Sequence, residues 1–552
     1  MKHIFTLFFI GIIGFTNFSK SQCNEDSEVK ILLVGDSWAF FMGVDGTINT
    51  VMESWGHSGN KFYTDLNLAQ NGAKTYHFLE AGKQQILENE LTSRPELEYV
   101  HLSLSGNDLL GNWKSQSFTQ QQNDDLKQAT LDSLDMVIQF IKGVRPDIDI
   151  VISGYAYPNF EEVVNSFGDP IGITGPEDHP FYSTWENMEF PSNFELNTQL
   201  NEFTDLVYNF YINDPKVHFV PATGITQYKY GQIDPLEVAP FGTYPEKYVP
   251  LPYGDPEYPS PRNSMRDYLL TKDCFHLSKI GYQALVGYTT QKYYHKAMMD
   301  DKYFIATTSQ ANGSVASDGT LNDQLFVGEN AGVNHQTILS FETQNELDNI
   351  VDKASLFLHR IQQTGTDNPI NGDIIIEIMD GPFGLSTTIE VSDYDVIGKA
   401  EGNPCVFGSN TDGEWVRLDL PTDLLEYIKP YDVTQFKISA PTANGSMVEF
   451  SGVDDPDFAP VLNIVYGSGD WSGLTKEEIK QSVVIYPNPA NNIVNIDVDF
   501  AEVNNIEVYS VDGRRVAHAN NTTINVSYFK AGTYFIKIVT DKGISTHKFV
   551  KE

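Results

Sequence analysis

Four short segments of this chain carry side chains suited to acyl transfer: Gly35-Asp36-Ser37-Trp38, Asn71-Gly72, Ser105-Gly106-Asn107-Asp108 and Asp273-Cys274-Phe275-His276. A serine hydroxyl is a weak nucleophile at neutral pH and needs an adjacent base whose ordinary pKa, about 6.5, lies near the working pH. His276 meets that need. A carboxylate three residues before it, Asp273, can bond one ring nitrogen, fix the tautomer and leave the other nitrogen facing Ser37. Attack on an ester builds negative charge on the carbonyl oxygen, and fixed donors aimed at that oxygen are commonly worth about 3 to 4 kcal/mol each. The candidate donors are the Ser37 N–H, the Gly72 N–H and the side-chain amide of Asn107. Gly72 lacks a Cβ, so its backbone can come close to the reacting carbonyl. This chemistry calls for neither a metal nor a cofactor, and none is expected.

The elements that must position these groups follow from hydrophobic patterning. Residues 29–34 form a short, apolar, β-branched run that reads as a buried parallel strand, which places Ser37 just beyond a strand's carboxyl end. In open α/β sheets ligands bind in the crevice outside those ends. Further strands are expected at 99–104, 148–153 and 217–220, separated by helical stretches at 125–144 and 197–211. This alternation implies a parallel sheet with helices on both faces. A last helix over 279–299 is expected to start at Ser278 as N-cap. Two long inserts, near 155–194 and 231–264, are rich in Pro, Gly and aromatic residues, and loops of this length are usually functional. Their aromatic residues suggest platforms for sugar rings or acyl chains: Tyr155, Tyr157, Phe181, Tyr182 and Trp185 in the first, Tyr244, Tyr248, Tyr253 and Tyr258 in the second. Packing of the loops is the alternative role.

Taken singly, each of the four segments has a plainer explanation as a capped turn or a helix lead-in. Their occurrence in order, each at the end of an element, carries the inference. The four blocks resemble the SGNH hydrolases, also called GDSL esterases and lipases, over roughly residues 28–298. The resemblance implies a three-layer α/β fold, Ser37 as nucleophile, His276 as base and Asp273 as its orienting carboxylate. Ser37, Gly72 and Asn107 would then form the oxyanion hole. Two positions depart from the family pattern: Trp38 replaces the usual Leu, and Ser105 replaces the first Gly of the third block. Asp36 and Asp108 are expected to hold local turns. No Gly-x-Ser-x-Gly elbow occurs, which argues against the α/β-hydrolase fold.

The chain has 552 residues, enough for about three or four domains. A net charge of −38 excludes nucleic acid as a partner, because phosphate binding needs a surface dominated by Lys and Arg. Residues 1–22 read as a secretory signal peptide, with a basic start and an apolar core too short to span a bilayer. No later stretch is long and apolar enough for a transmembrane helix, so none is expected in the mature chain. Cys23, Cys274 and Cys405 are too few for a disulfide scaffold, and Cys274 reads as a small buried filler.

The hydrolase region is assigned to 23–300. Residues 310–467 read as an antiparallel β-sandwich from short alternating segments between Gly-, Asn- and Thr-rich turns. Segments 336–341, 354–359, 414–419 and 460–466 resemble the β-sandwich modules named for disaggregatase-related repeats, some of which bind polysaccharides. A polar linker at 468–481 precedes a charge-balanced segment, 482–552. There, Val483-Val484-Ile485-Tyr486-Pro487-Asn488-Pro489-Ala490 and Gly532-Thr533-Tyr534-Phe535-Ile536-Lys537 resemble the carboxy-terminal sorting domain of type IX secretion substrates. Asp512-Gly513 and Lys542-Gly543 read as its hairpin turns. This resemblance implies Sec export, passage across an outer membrane by the type IX machinery, and a secreted or surface location. The expected activity is hydrolysis of carboxylic esters through an acyl-enzyme, on an O-acylated polysaccharide or another ester. The alternatives are a lipase or phospholipase for longer acyl chains, and a non-catalytic carbohydrate-binding adhesin.

Overall fold

The computed structural model describes residues 23, 25, 27–169, 172–232, 245–299, 302–306, 309–343, 347, 350–408, 411–429, 433–467, 483–498, 503–510, 515–519, 521–540 and 543–552. The expected signal peptide 1–22, the linker 468–481, Tyr244, and the turn residues Asp512, Gly513 and Lys542 lie outside the described residues. The chain divides into two units. The first comprises residues up to Met298 together with His359–Ile361 and Cys405–Arg417; the second comprises Met299–Leu358, Gln362–Pro404 and Leu418–Glu552.

In the first unit β1 (Glu28–Gly35) is followed by α1 (Ser37–Val44), α2 (Thr47–Ser54), β2 (Asn60–Tyr63), α3 (Ala81–Ser93), β3 (Tyr99–Ser103), α4 (Gly106–Leu109), α5 (Gln120–Val144) and β4 (Asp149–Ser153). Then come α6 (Glu161–Asn165), α7 (Tyr182–Asn187), α8 (Asn193–Tyr211), β5 (Val217–Val220), α9 (Ile225–Tyr230), β6 (Met265–Tyr268), β7 (Thr271–Leu277) and α10 (Lys279–Thr289). Strands β1 to β5 form one parallel sheet in the order β2-β1-β3-β4-β5. Ile31 to Val34 are fully buried, as a strand covered on both faces requires. The connection from β1 to β2 runs one way along the sheet, and the later connections run the other way. Right-handed crossovers therefore put α1 and α2 on one face and α3, α5 and α8 on the opposite face. Helix α10 packs on α2, while α5 packs on α3 and α8. The reversal lies between β1 and β3, and it opens a crevice at their carboxyl ends.

Two helices start earlier than their hydrophobic period suggests. Thr119 accepts the Gln122 N–H at 3.3 Å while the Gln122 side chain accepts the Thr119 N–H at 2.9 Å, so α5 begins at Gln120. Ser192 and Glu195 make the same reciprocal pair ahead of α8. These polar boxes add a turn that apolar spacing does not mark. The expected helix over 279–299 is capped by Ser278 but gives way to a wider π turn at Thr290–Tyr294. Cys23 and Cys405 form a disulfide with a Cα separation of 5.5 Å, and Cys274 is buried and free.

His101 sits on the central strand β3 with no exposure, its Nδ1 3.0 Å from the Tyr294 hydroxyl. Burial lowers its pKa to about 4. The unfolded chain therefore binds a proton there near pH 6.5 that the folded chain refuses, so stability is lost as pH falls from 6.5 through 4. The expected loss at pH 4 is about 3 kcal/mol. Asp36, discussed below, titrates in the opposite direction but is present in any His101 variant. Urea unfolding at pH 7 and pH 4 should therefore show a drop about 3 kcal/mol larger for the native chain than for His101→Phe.

The second unit is antiparallel β structure. Val333–Glu342 pairs with Val433–Ser439 on one side and Leu325–Asn330 on the other, and Leu325–Asn330 continues to Met447–Phe450. Val461–Tyr466 pairs with Lys302–Ile305. At the carboxyl end Val483–Tyr486, Ile493–Val498 and Thr523–Asn525 form one small sheet, and Arg515–Ala519, Val503–Ser510, Gly532–Thr540 and Gly543–Lys551 form another. Val494, Ile506, Val508, Ile536 and Phe549 are buried in their shared core. The fold class is thus a parallel α/β layer structure followed by all-β sandwiches, as the patterning predicts.

Candidate active site

Strand β1 delivers Ser37 through a turn that only glycine permits. Gly35 has φ +152°, and a Cβ there would lie 1.8 Å from the Ser103 carbonyl oxygen. The close approach lets the Asp36 N–H donate to that oxygen at 2.8 Å, joining β1 to β3 at their ends. Asp36 then caps α1, its Oδ1 accepting the Trp38 N–H at 2.9 Å. Ser37 is the first residue of that helix.

His276 and Asp273 come from the antiparallel hairpin of β6 and β7. His276 Nε2 lies 2.7 Å from Ser37 Oγ, and its Nδ1 lies 2.7 Å from Asp273 Oδ2. The other carboxylate oxygen of Asp273 accepts the backbone N–H groups of Phe275 at 2.7 Å and His276 at 2.9 Å. Asp273 is 2% exposed, so its charge is screened little by water. This chain of contacts holds the imidazole with one nitrogen toward the carboxylate and the other toward the hydroxyl. It is the arrangement that proton removal from Ser37 requires.

Gly72 and Asn107 line the same cavity as Ser37 and His276. Gly72 has φ +71°, a left-handed conformation that favours glycine. Neither its N–H nor that of Ser37 has an acceptor among the described residues, and both remain available to an oxyanion. Asn107 donates one amide hydrogen to the Ala73 carbonyl at 3.0 Å, which leaves its second hydrogen for the cavity. Asp108 accepts from the Thr75 N–H at 3.0 Å and the Thr75 hydroxyl at 2.8 Å. Sequence analysis gives Asp108 a local turn; instead it ties the third block to the second, 33 residues away.

Ser105 stands where the family pattern has glycine, and it adopts φ +114° without a side-chain cap. A buried L-residue held there stores strain of roughly 1 to 3 kcal/mol. Ser105→Gly is expected to raise stability by about 1 kcal/mol after the added unfolded-state entropy is subtracted, as a denaturant midpoint shift will show.

The cavity measures about 480 Å³. Phe41, Leu110, Phe181, Leu200, Tyr268 and Phe275 give it apolar walls. Of the aromatic residues expected as platforms, Tyr155 and Phe181 reach this lining. Tyr157 and Trp185 are packing residues: Tyr157 is fully buried and bonds Asn201 at 2.7 Å, and Trp185 donates to the Pro191 carbonyl at 3.0 Å. Sequence reasoning missed Phe41, whose ring meets His276 edge-on at 4.8 Å, and Arg266, which covers Phe41 at 4.0 Å and pairs with Asp45 at 2.7 Å. No local motif marks either residue. Burial raises the Asp36 carboxyl to about 6, outweighing the hydrogen bonds from Tyr155 and Trp38 that favour its ionised form. Among the described residues no group of three or more His, Cys, Asp or Glu is arranged to hold a metal ion, and no helix is long and apolar enough to cross a membrane.

Residues 484–552 match the secretion system C-terminal sorting domain. This tail directs the chain by the type IX route to the cell surface or the exterior, and implies contact with that secretion machinery. No curated protein sequence matches the chain. Among solved structures, the chain is similar to a family 3 carbohydrate esterase of Clostridium thermocellum at 16% identity, over 49% of this chain and 98% of that one, with a TM-score of 0.26. It is similar to a protein described as a putative platelet activating factor from Streptococcus pneumonia at 15% identity, over 49% and 84% of the two chains, with a TM-score of 0.27. A carbohydrate acetylesterase of Sinorhizobium meliloti aligns at 12% identity, over 48% and 99%, with a TM-score of 0.25.

Proposed function

We propose that the chain is an exported serine hydrolase of the SGNH type that cleaves carboxylic esters through an acyl-enzyme. The observation that carries this reading is the pair of 2.7 Å contacts that His276 makes, Nε2 with Ser37 Oγ and Nδ1 with Asp273 Oδ2, at the wall of a cavity that Gly72 and Asn107 also line. Ser37 attacks the carbonyl carbon as His276 takes its proton, and the oxyanion accepts from the Ser37 and Gly72 N–H groups and the Asn107 amide. The same proton passes from His276 to the departing alkoxide, leaving the acyl group on Ser37. Water then attacks the acyl carbon as His276 takes its proton, and collapse of the intermediate breaks the bond to Ser37 Oγ, to which His276 returns the proton as the acid departs.

The substrate class we favour is an O-acylated, chiefly O-acetylated, polysaccharide. In this reading residues 23–300 hydrolyse, the sandwich of 310–467 holds the polymer near the site, and 482–552 is removed during display or release. Such tethering raises the effective concentration of scissile esters without changing the site. The apolar cavity walls favour a second reading, a lipase or phospholipase for longer acyl chains. Hydrolysis of p-nitrophenyl acetate, butyrate and octanoate separates them, because each buried methylene adds about 0.8 kcal/mol in an acyl trough. Acetate selectivity supports the deacetylase, and octanoate preference supports the lipase. Equal traces from the native chain and Ser37→Ala overturn both and favour a binding module.

A further inference from the structure

We propose that Tyr155 is a positioning residue whose single phenol oxygen clamps the nucleophile turn to the oxyanion turn. The inference rests on the hydrolase reading above. Three strands end at this point: β1 leads into Asp36, β3 into Gly106, and β4 into Tyr155. The Tyr155 hydroxyl donates to Asp36 Oδ2 at 2.6 Å and accepts the Gly106 N–H at 2.8 Å. Asp36 immediately precedes Ser37, and Gly106 immediately precedes Asn107. One oxygen therefore fixes the separation between the attacking atom's backbone and the side-chain donor that meets the oxyanion.

The direction of each bond is settled by chemistry. A backbone N–H can only donate, so the phenol oxygen accepts from Gly106 and sends its one proton to the carboxylate. Asp36 is then satisfied on both oxygens, with Trp38 N–H on Oδ1 and Tyr155 on Oδ2. The ring is held as firmly as the oxygen. It meets Trp38 edge-on at 4.9 Å, and a Cβ on Gly106 would come within 2.8 Å of it. Glycine at 106 is therefore a requirement of the clamp. Asp108 and Asn107 tie the same turn to the Gly72 loop through Thr75 and Ala73. Three loops from distant parts of the sequence thereby share one set of polar contacts, and Tyr155 adds the side-chain link from the Asn107 turn to the turn that carries the serine.

A positioning role of this kind acts on the transition state more than on substrate binding. A displacement of about 1 Å at a reacting centre can cost 10²-fold in rate. In the full mature chain, Tyr155→Phe is expected to lower kcat on p-nitrophenyl acetate by about 10- to 100-fold with KM nearly unchanged. Because the effect runs through Asn107, the double variant Tyr155→Phe/Asn107→Ala should lose no more than Asn107→Ala alone. Asp36→Asn, which leaves one acceptor for two donors, should behave like Tyr155→Phe and be equally non-additive with it. An unchanged kcat in Tyr155→Phe, or losses that multiply in the double variant, would overturn the clamp.

Amide hydrogen exchange at Gly106 gives an answer that does not depend on turnover. Faster exchange of that amide in Tyr155→Phe than in the native chain supports the clamp, and equal exchange overturns it. If the native chain fails to hydrolyse any ester while its Gly106 amide is protected by Tyr155, the hydrolase reading falls and the clamp stands as a structural link only.

Discussion

Replacing Ser37 with Ala is expected to lower kcat on p-nitrophenyl acetate by about 10⁶-fold, and replacing His276 with Ala by a similar factor. The reason lies in the shared hydrogen bond. Ser37 Oγ and His276 Nε2 are 2.7 Å apart, so the hydroxyl is nucleophilic only while the imidazole accepts its proton. Removal of either partner removes the same step. The double variant should therefore be no slower than either single one, and a multiplicative loss would show that the two residues act apart. Some rate should survive, because the Gly72 N–H and the Asn107 amide still face the cavity. Folding should be nearly unaffected by Ser37→Ala. The serine side chain makes no cap, since Asp36 performs that task for α1. A stopped-assay trace together with a urea melt separates chemistry from folding. An active Ser37→Ala chain with native stability would remove the serine from the mechanism.

The parts of this site that can be read in the sequence are those encoded locally. The apolar run ending at Gly35 marks a strand, and the serine after it marks a turn into a helix, because burial and capping act over a few residues. Asp273 and His276 are three residues apart, so their pairing is visible as spacing alone. Strand β2 was not legible. Its four residues, Asn60 to Tyr63, are all half-buried and lack alternation, and only pairing with β1 makes them a strand. The Tyr155 link was equally hidden, since Asp36, Gly106 and Tyr155 meet only after three strands align. Asp108 shows the same limit: its local context suggests a turn, but its partner Thr75 lies across a crossover. The disulfide between Cys23 and Cys405 joins the two ends of a separation of 382 residues, beyond any spacing rule. Local order thus reveals which groups carry the chemistry, whereas the contacts that hold them at working distance depend on the packed sheet.

Asp273→Asn is expected to lower kcat by about 10⁴-fold while the protein remains folded. The two oxygens of Asp273 have different tasks, and the amide can replace only one of them. Oδ1 accepts the backbone N–H groups of Phe275 and His276, which hold the tight backbone of β7. The carbonyl oxygen of Asn can take over both, so the turn and the fold should persist. Oδ2 accepts from His276 Nδ1 at 2.7 Å, and there the amide nitrogen of Asn would present a donor. A neutral imidazole answers a donor by placing its lone pair on Nδ1 and its proton on Nε2. That tautomer meets Ser37 with an N–H and cannot remove its proton. The burial of Asp273 sharpens the contrast, because no water is at hand to compensate for the lost charge when the imidazolium forms. Asp273→Ala should lose activity to a similar degree but also lose stability, since the two backbone donors would then be left without their acceptor. A kcat loss in Asp273→Asn below about tenfold, with the urea midpoint unchanged, would show that the carboxylate does not set the tautomer of His276.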